Sequence, residues 1–157
     1  MTWLNVIAGQ LSAADPDNAG AYFANAAAGR AEIKTLIGEV NATLDPVRDG
    51  QFIVFHDAYQ YFERRFGLQA AGAISFSDAS TPSAGRIAEL RDAVETLGAR
   101  CVFAEPQFSR GLVDSVFADR ATVGLLDPLG QDLTPGADLY PQVLRGMAAA
   151  FKTCLDS

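Results

Sequence analysis

Apolar residues follow two different periods along this chain, and the change comes near Pro46. Before it the spacing is helical: Trp3, Leu4, Ile7 and Leu11 lie on one face of a predicted helix over residues 2–14. Tyr22, Ala26, Ile33, Ile37, Val40 and Leu44 then recur along "AGAYFANAAAGRAEIKTLIGEVNATL". Asp15 is a favourable N-cap, Pro16 suits the first helical position, and Pro46 ends the run. A helix from Pro16 to Leu44 would span roughly 43 Å at 1.5 Å per residue, more than a compact domain of this size requires. Either it bends or breaks, with Gly29 the candidate position, or it is a spine that runs beside a second domain.

After Pro46 short apolar runs alternate with helical periods. "QFIVFHD" reads as a strand, and 58–66 as a helix carrying Tyr59, Phe62 and Phe66. "LQAAGAISF" is a weaker second strand that runs into the loop "SDASTPSAG". A helix over 84–97 turns Ile87, Leu90, Val94 and Leu97 inward. "RCVFAEP" is a third strand, and 109–118 a helix with Leu112, Val113, Val116 and Phe117 inward. "TVGLLDP" is the fourth strand. The Gly/Pro-rich loop "LGQDLTPGAD" then leads to a last helix on Tyr140, Val143, Leu144, Met147 and Phe151. This order predicts an α/β fold: a four-stranded parallel sheet flanked by helices on both faces and preceded by the long helix. The expected division is a helical segment over 1–45 and an α/β lobe over 46–157.

Composition narrows what such a fold would do. Of 157 residues, 49% are apolar and 20% charged, as in a globular chain, and the net charge is −7. No basic cluster is present to neutralise a phosphate backbone, which argues against nucleic acid and against an anionic membrane surface. No apolar run reaches membrane-spanning length, so no direct membrane insertion is expected. "MTWLNVIAGQLSAADPD" has neither a cationic n-region nor a small-residue cleavage site, so it is not a signal peptide; in an exported protein that segment would lie upstream. Cys101 and Cys154 form no CxxC pattern. They are either two buried thiols or one long-range disulfide.

In a doubly wound sheet, ligands bind beyond the carboxyl ends of the strands. There the first strand ends in His56-Asp57, the third in Glu105-Pro106 and the fourth in Asp127-Pro128. His56 is the only histidine. Zinc accepts imidazole nitrogen and carboxylate oxygen, normally four donors in a tetrahedron, and this edge offers one imidazole. Asp57 is equally placed to cap the following helix, and Glu105 and Asp127 to be loop residues before proline. Other chemistries lack their residues. Ser109 and Ser115 sit in no GxSxG elbow, and no GxGxxG or Walker A motif follows a strand. Lys34 and Lys152, the two lysines, both fall in helices, which excludes the late strand-end lysine of a phospho-acceptor receiver.

"FIVFHDAYQYFERRFGL", "CVFAEPQFS" and "LLDPLG" resemble the C-terminal lobe of periplasmic zinc-binding proteins of ABC importers, the ZnuA type, and "TWLN" resembles the stretch after that family's Asp-Pro-His-x-Trp-Leu motif. The resemblance runs from Trp3 to Leu155. It implies that His56 is a zinc ligand and that Asp127 occupies a position that ligates manganese in some relatives and lies near the metal in zinc binders. Asp57 and Glu105 would stand behind the ligands, and Cys101 and Cys154 would form the lobe's disulfide. The long helix would be the spine between two lobes, with the N-terminal lobe and its histidines outside this chain. The implied function is a zinc half-site of a non-enzymatic periplasmic carrier that delivers zinc to a membrane permease of an ABC importer. This chain alone would hold zinc weakly or not at all, and its exposed spine would favour self-association. Two rivals are a manganese- or iron-type carrier of the same fold and a small α/β metallohydrolase using His56 and Asp127.

Overall fold

Four of the apolar runs pair into one parallel sheet: β1 (Phe52–His56), β2 (Gly72–Ser75), β3 (Cys101–Ala104) and β4 (Thr122–Leu125), in spatial order β2-β1-β3-β4. Before them come α1 (Thr2–Ala14) and α2 (Ala19–Leu44). The helices α3 (Gln60–Phe66), α4 (Ala84–Leu97) and α5 (Arg110–Phe117) link successive strands, and α6 (Leu139–Leu155) follows β4. This computed structural model describes residues 2–75, 83–107 and 110–157, with the backbone alone for Arg110 and Leu112. Phe76 of the expected second strand, most of the following loop, Ser109 and the Leu112 side chain lie outside the described residues. The fold is the expected α/β class. The two central strands are buried on both faces, which explains why β1 and β3 read as continuous apolar runs.

The two faces are built from alternate residues. Ile53 and Phe55 of β1, Ile74 of β2, and Val102 and Ala104 of β3 pack with Leu90 and Val94 of α4 and Val113 and Phe117 of α5. The other face is aromatic. Phe151 of α6 sits 4.9 Å from Phe52 and 4.8 Å from Phe103, ring centre to ring centre, and stacks on Phe62 of α3 at 5.8 Å. Cys101 and Cys154 form a disulfide on this side, with Cα atoms 5.9 Å apart, and pin α6 to β3. Gly124 in β4 is level with Phe103. A Cβ there would stand 2.6 Å from the Phe103 ring and 3.2 Å from the Cys154 sulfur, so the close approach requires glycine.

The chain divides into two compact units, residues 1–39 and 40–157, and the boundary falls inside α2. Within the first unit, Arg30 donates to the Asn5 carboxamide oxygen and joins α2 to α1. The long helix begins at Ala19, after a 3₁₀ turn over Pro16–Asn18, and passes through Gly29 without interruption. Asp15 does not cap it in the usual way. Its carboxylate accepts instead from Asn18 Nδ2 at 2.8 Å and the Tyr22 hydroxyl at 2.7 Å, and these bonds hold the carboxyl below its ordinary pKa.

Three other local expectations are corrected. Helix α3 starts at Gln60, because the Ala58 N–H bonds back to the His56 carbonyl at 2.9 Å and a turn intervenes. Asp57 is therefore exposed in that turn and does not cap the helix. Leu97 and Tyr140 are exposed, not inward: Leu97 is the last residue of α4 and Tyr140 lies in the first turn of α6. Among the described residues, no helix is long and apolar enough to cross a membrane.

Candidate metal centre

The spatial order of the strands makes β1 and β3 neighbours, although β2 and two helices separate them in the chain. From β1 the polypeptide goes to one side, to β2, and later crosses to the other side, to β3. In sheets of this kind such a reversal is where a ligand crevice is expected, here at the carboxyl ends of β1 and β3. Val54 is level with Phe103, and two residues further on His56 comes level with Glu105. Both side chains leave the sheet on the aromatic face, above Phe52 and Phe103.

His56 Nδ1 lies 2.7 Å from Glu105 Oε1. Glu105 is 1% exposed, one of two buried polar or charged residues among those described. A buried carboxylate is costly unless polar partners meet its oxygens. Gln107 Nε2 donates to Oε2 at 2.6 Å, Oε1 faces His56 Nδ1, and the Tyr59 phenol lies close enough to feel the carboxylate's charge. Tyr59 is itself buried. Burial first, then the nearby charges of Glu105 and Asp127, push its phenol far above the ordinary pKa and keep it protonated. The Nδ1 atom of His56 has no accessible surface, yet 19% of the side chain is open, so the open part belongs to the rest of the ring.

Asp127 reaches the same edge from the loop after β4. Its carboxylate accepts backbone N–H groups from Leu129 at 3.1 Å, Gly130 at 2.8 Å and Gln131 at 2.7 Å. Gly130 has φ of +69°, and a Cβ there would meet Val143 at 2.8 Å, so this turn is specific to glycine. An ionised carboxylate has about four lone-pair sites, and three donors leave room for one more partner.

The expected residues thus fall into three groups. His56 and Glu105 are in direct contact, Asp127 is held in a turn and its charge is felt at Tyr59, and Asp57 is exposed. Tyr59 and Gln107 were not singled out as polar contributors. Tyr59 read as one more apolar position of α3, and its hydroxyl, three residues after the histidine, was the available signal. Among the described residues, no three His, Cys, Asp or Glu side chains come together as a group able to hold a metal ion. The donor types suit a borderline-soft divalent cation, but this chain alone does not surround one.

Residues 1–154 match the family described as "Zinc-uptake complex component A periplasmic". The high-affinity zinc uptake system protein ZnuA of Brucella abortus (strain 2308) is 50% identical over 150 residues, which cover 95% of this chain and 45% of that protein. The protein of the same description from Paracoccus denitrificans (strain Pd 1222) is 46% identical over 155 residues, covering 98% and 48%. A crystal structure of ZnuA superposes with a TM-score of 0.81 at 33% identity, over 96% of this chain and 56% of that one. The chain spans about half the length of the relatives it matches.

Proposed function

The chain belongs to the zinc-uptake complex component A family, and from that premise we propose that it is the C-terminal half of a two-lobed periplasmic zinc carrier. Residues 46–157 form the metal-binding lobe, and 1–45 carry the spine towards the second lobe. His56 supplies an imidazole nitrogen and Asp127 a carboxylate oxygen, Glu105 supports His56 from behind, and exposed Asp57 adds negative charge at the mouth. The remaining ligands come from the other lobe. The loaded protein hands zinc to the membrane permease of an ABC importer; no bond is made or broken, so it is not an enzyme. In isolation the exposed apolar residues Trp3, Val6, Ile7 and Leu11 of α1 and Phe23 of α2 favour self-association.

The observation that carries this reading is the donor count at the crevice: one imidazole with a buried carboxylate behind it, and no group of three metal-capable side chains among the described residues. Zinc in a closed site takes about four ligands, and waters that fill vacated positions bring no preorganisation. Affinity no better than roughly micromolar follows for this chain alone. Calorimetry of the chain with zinc tests it. Weak binding lost in His56→Ala and reduced in Asp127→Asn is expected. Nanomolar binding by this chain, or binding indifferent to His56→Ala, overturns the reading.

A further inference from the structure

A histidine that offers one nitrogen to a metal must first settle which nitrogen carries its hydrogen. In water the neutral side chain favours the Nε2–H tautomer, which would leave Nδ1 as the donor atom for a metal. At His56 the surroundings reverse that preference. Nδ1 is sealed from solvent and faces Glu105 Oε1 at 2.7 Å. Gln107 Nε2 already donates to the other carboxylate oxygen at 2.6 Å. With one oxygen already accepting from Gln107, the carboxylate acts as the acceptor toward the imidazole as well, so the hydrogen between them belongs to Nδ1.

We propose that Glu105 is a positioning residue: it fixes the hydrogen of His56 on Nδ1, turns the ring, and leaves Nε2 as the only nitrogen available to a divalent cation. The tautomer assignment stands on the geometry of this chain alone. Its consequence for metal capture rests on the zinc reading above. An orienting carboxylate behind a ligating imidazole raises the basicity of the free nitrogen, and losing it typically weakens metal binding about 10- to 100-fold.

The single histidine makes the test direct, because every imidazole nitrogen signal belongs to residue 56. The probe is the whole chain with ring-15N histidine, studied by long-range proton–nitrogen correlation without metal at about pH 8.5, well above the ordinary imidazole range. The expected wild-type spectrum shows Nδ1 bearing the hydrogen and Nε2 carrying a lone pair. A dominant Nε2–H form overturns the proposal, and this spectrum decides without any variant having to fold. In Glu105→Gln the ratio of Nδ1–H to Nε2–H is expected to fall about tenfold, as a charge-assisted bond becomes a neutral one. An unchanged ratio in a folded Glu105→Gln chain also overturns it. Zinc added to wild type should shift Nε2 and leave the Nδ1 hydrogen in place. An Nδ1–H tautomer that zinc does not perturb retires the zinc reading and leaves the tautomer lock standing; an Nε2–H tautomer that still binds zinc does the reverse.

Discussion

The two faces of the sheet are made from alternate residues of the same strands, and they end differently. On the side of α4 and α5, β1 and β3 present Ile53 then Phe55, and Val102 then Ala104, apolar to the last residue. On the side of α3 and α6 they present Phe52, Val54 and His56, and Cys101, Phe103 and Glu105. That face begins with a disulfide and a cluster of phenylalanines and finishes with an imidazole set against a buried carboxylate. One face holds the lobe together; the other holds it together and then aims a ring. The aromatic packing beneath the pair keeps water away from Glu105, so the carboxylate must be answered by His56 and Gln107.

Matched cavities on the two faces are the strongest way to break this contrast. Phe151→Ala and Phe117→Ala should each cost about 3–5 kcal/mol in urea unfolding, since both side chains are fully buried. Only Phe151→Ala should also disturb the His56 ring signals, because its cavity opens beneath the polar end. Equal disturbance by Phe117→Ala would show that the faces are not separate supports. Replacing both cysteines by alanine should cost about 2–4 kcal/mol, by loss of the constraint on the unfolded chain. The same unfolding experiment measures it, with and without reductant on wild type.

Tyr59→Phe should change stability near neutral pH by no more than about 1 kcal/mol, because the ring's packing is kept and only a buried hydroxyl is lost. It also carries a pH signature. The folded protein keeps Tyr59 protonated far above the ordinary value, whereas the unfolded chain ionises it near about pH 10. The contribution is therefore fully present below about pH 10 and is lost as pH rises beyond it, since ionisation then favours the unfolded chain. Between about pH 9 and 11, wild type should lose more stability than Tyr59→Phe. The smallest effect belongs to Asp57→Asn, which should change stability by less than about 0.5 kcal/mol, as expected of an exposed residue. Its zinc affinity should fall less than that of His56→Ala, with a loss that salt reduces. A larger stability change would mean that Asp57 has a structural partner.

Much of the lobe was legible before any coordinates. Four apolar runs, each closed by turn or charged residues, specify parallel strands, and Phe62, Leu90, Val94 and Phe151 follow from helical spacing. His56, Glu105 and Asp127 were recognisable as strand-end residues. What could not be read was the order of the strands. The contact between His56 and Glu105 exists because β3 crosses to the far side of β1, and that depends on packing among distant segments. Turns were the other gap. The Ala58-to-His56 bond delays α3, and the three backbone donors around Asp127 depend on Gly130 adopting positive φ. Leu97 and Tyr140 fit the helical period and still face solvent, because periodicity does not say where the sheet stops covering a helix.

The Cys101–Cys154 bond closes a covalent ring, its ends 53 positions apart. Glu105 and Asp127 lie within the ring, while His56 and Tyr59 lie outside it, on the linear chain that leads into Cys101. A protease that cut the exposed Asp127 loop would open the ring into a branched molecule without releasing a piece. On a gel the nicked protein would keep its full mass until reductant was added. A cut between Tyr59 and Cys101 would instead divide His56 and Glu105 between fragments that no covalent bond joins.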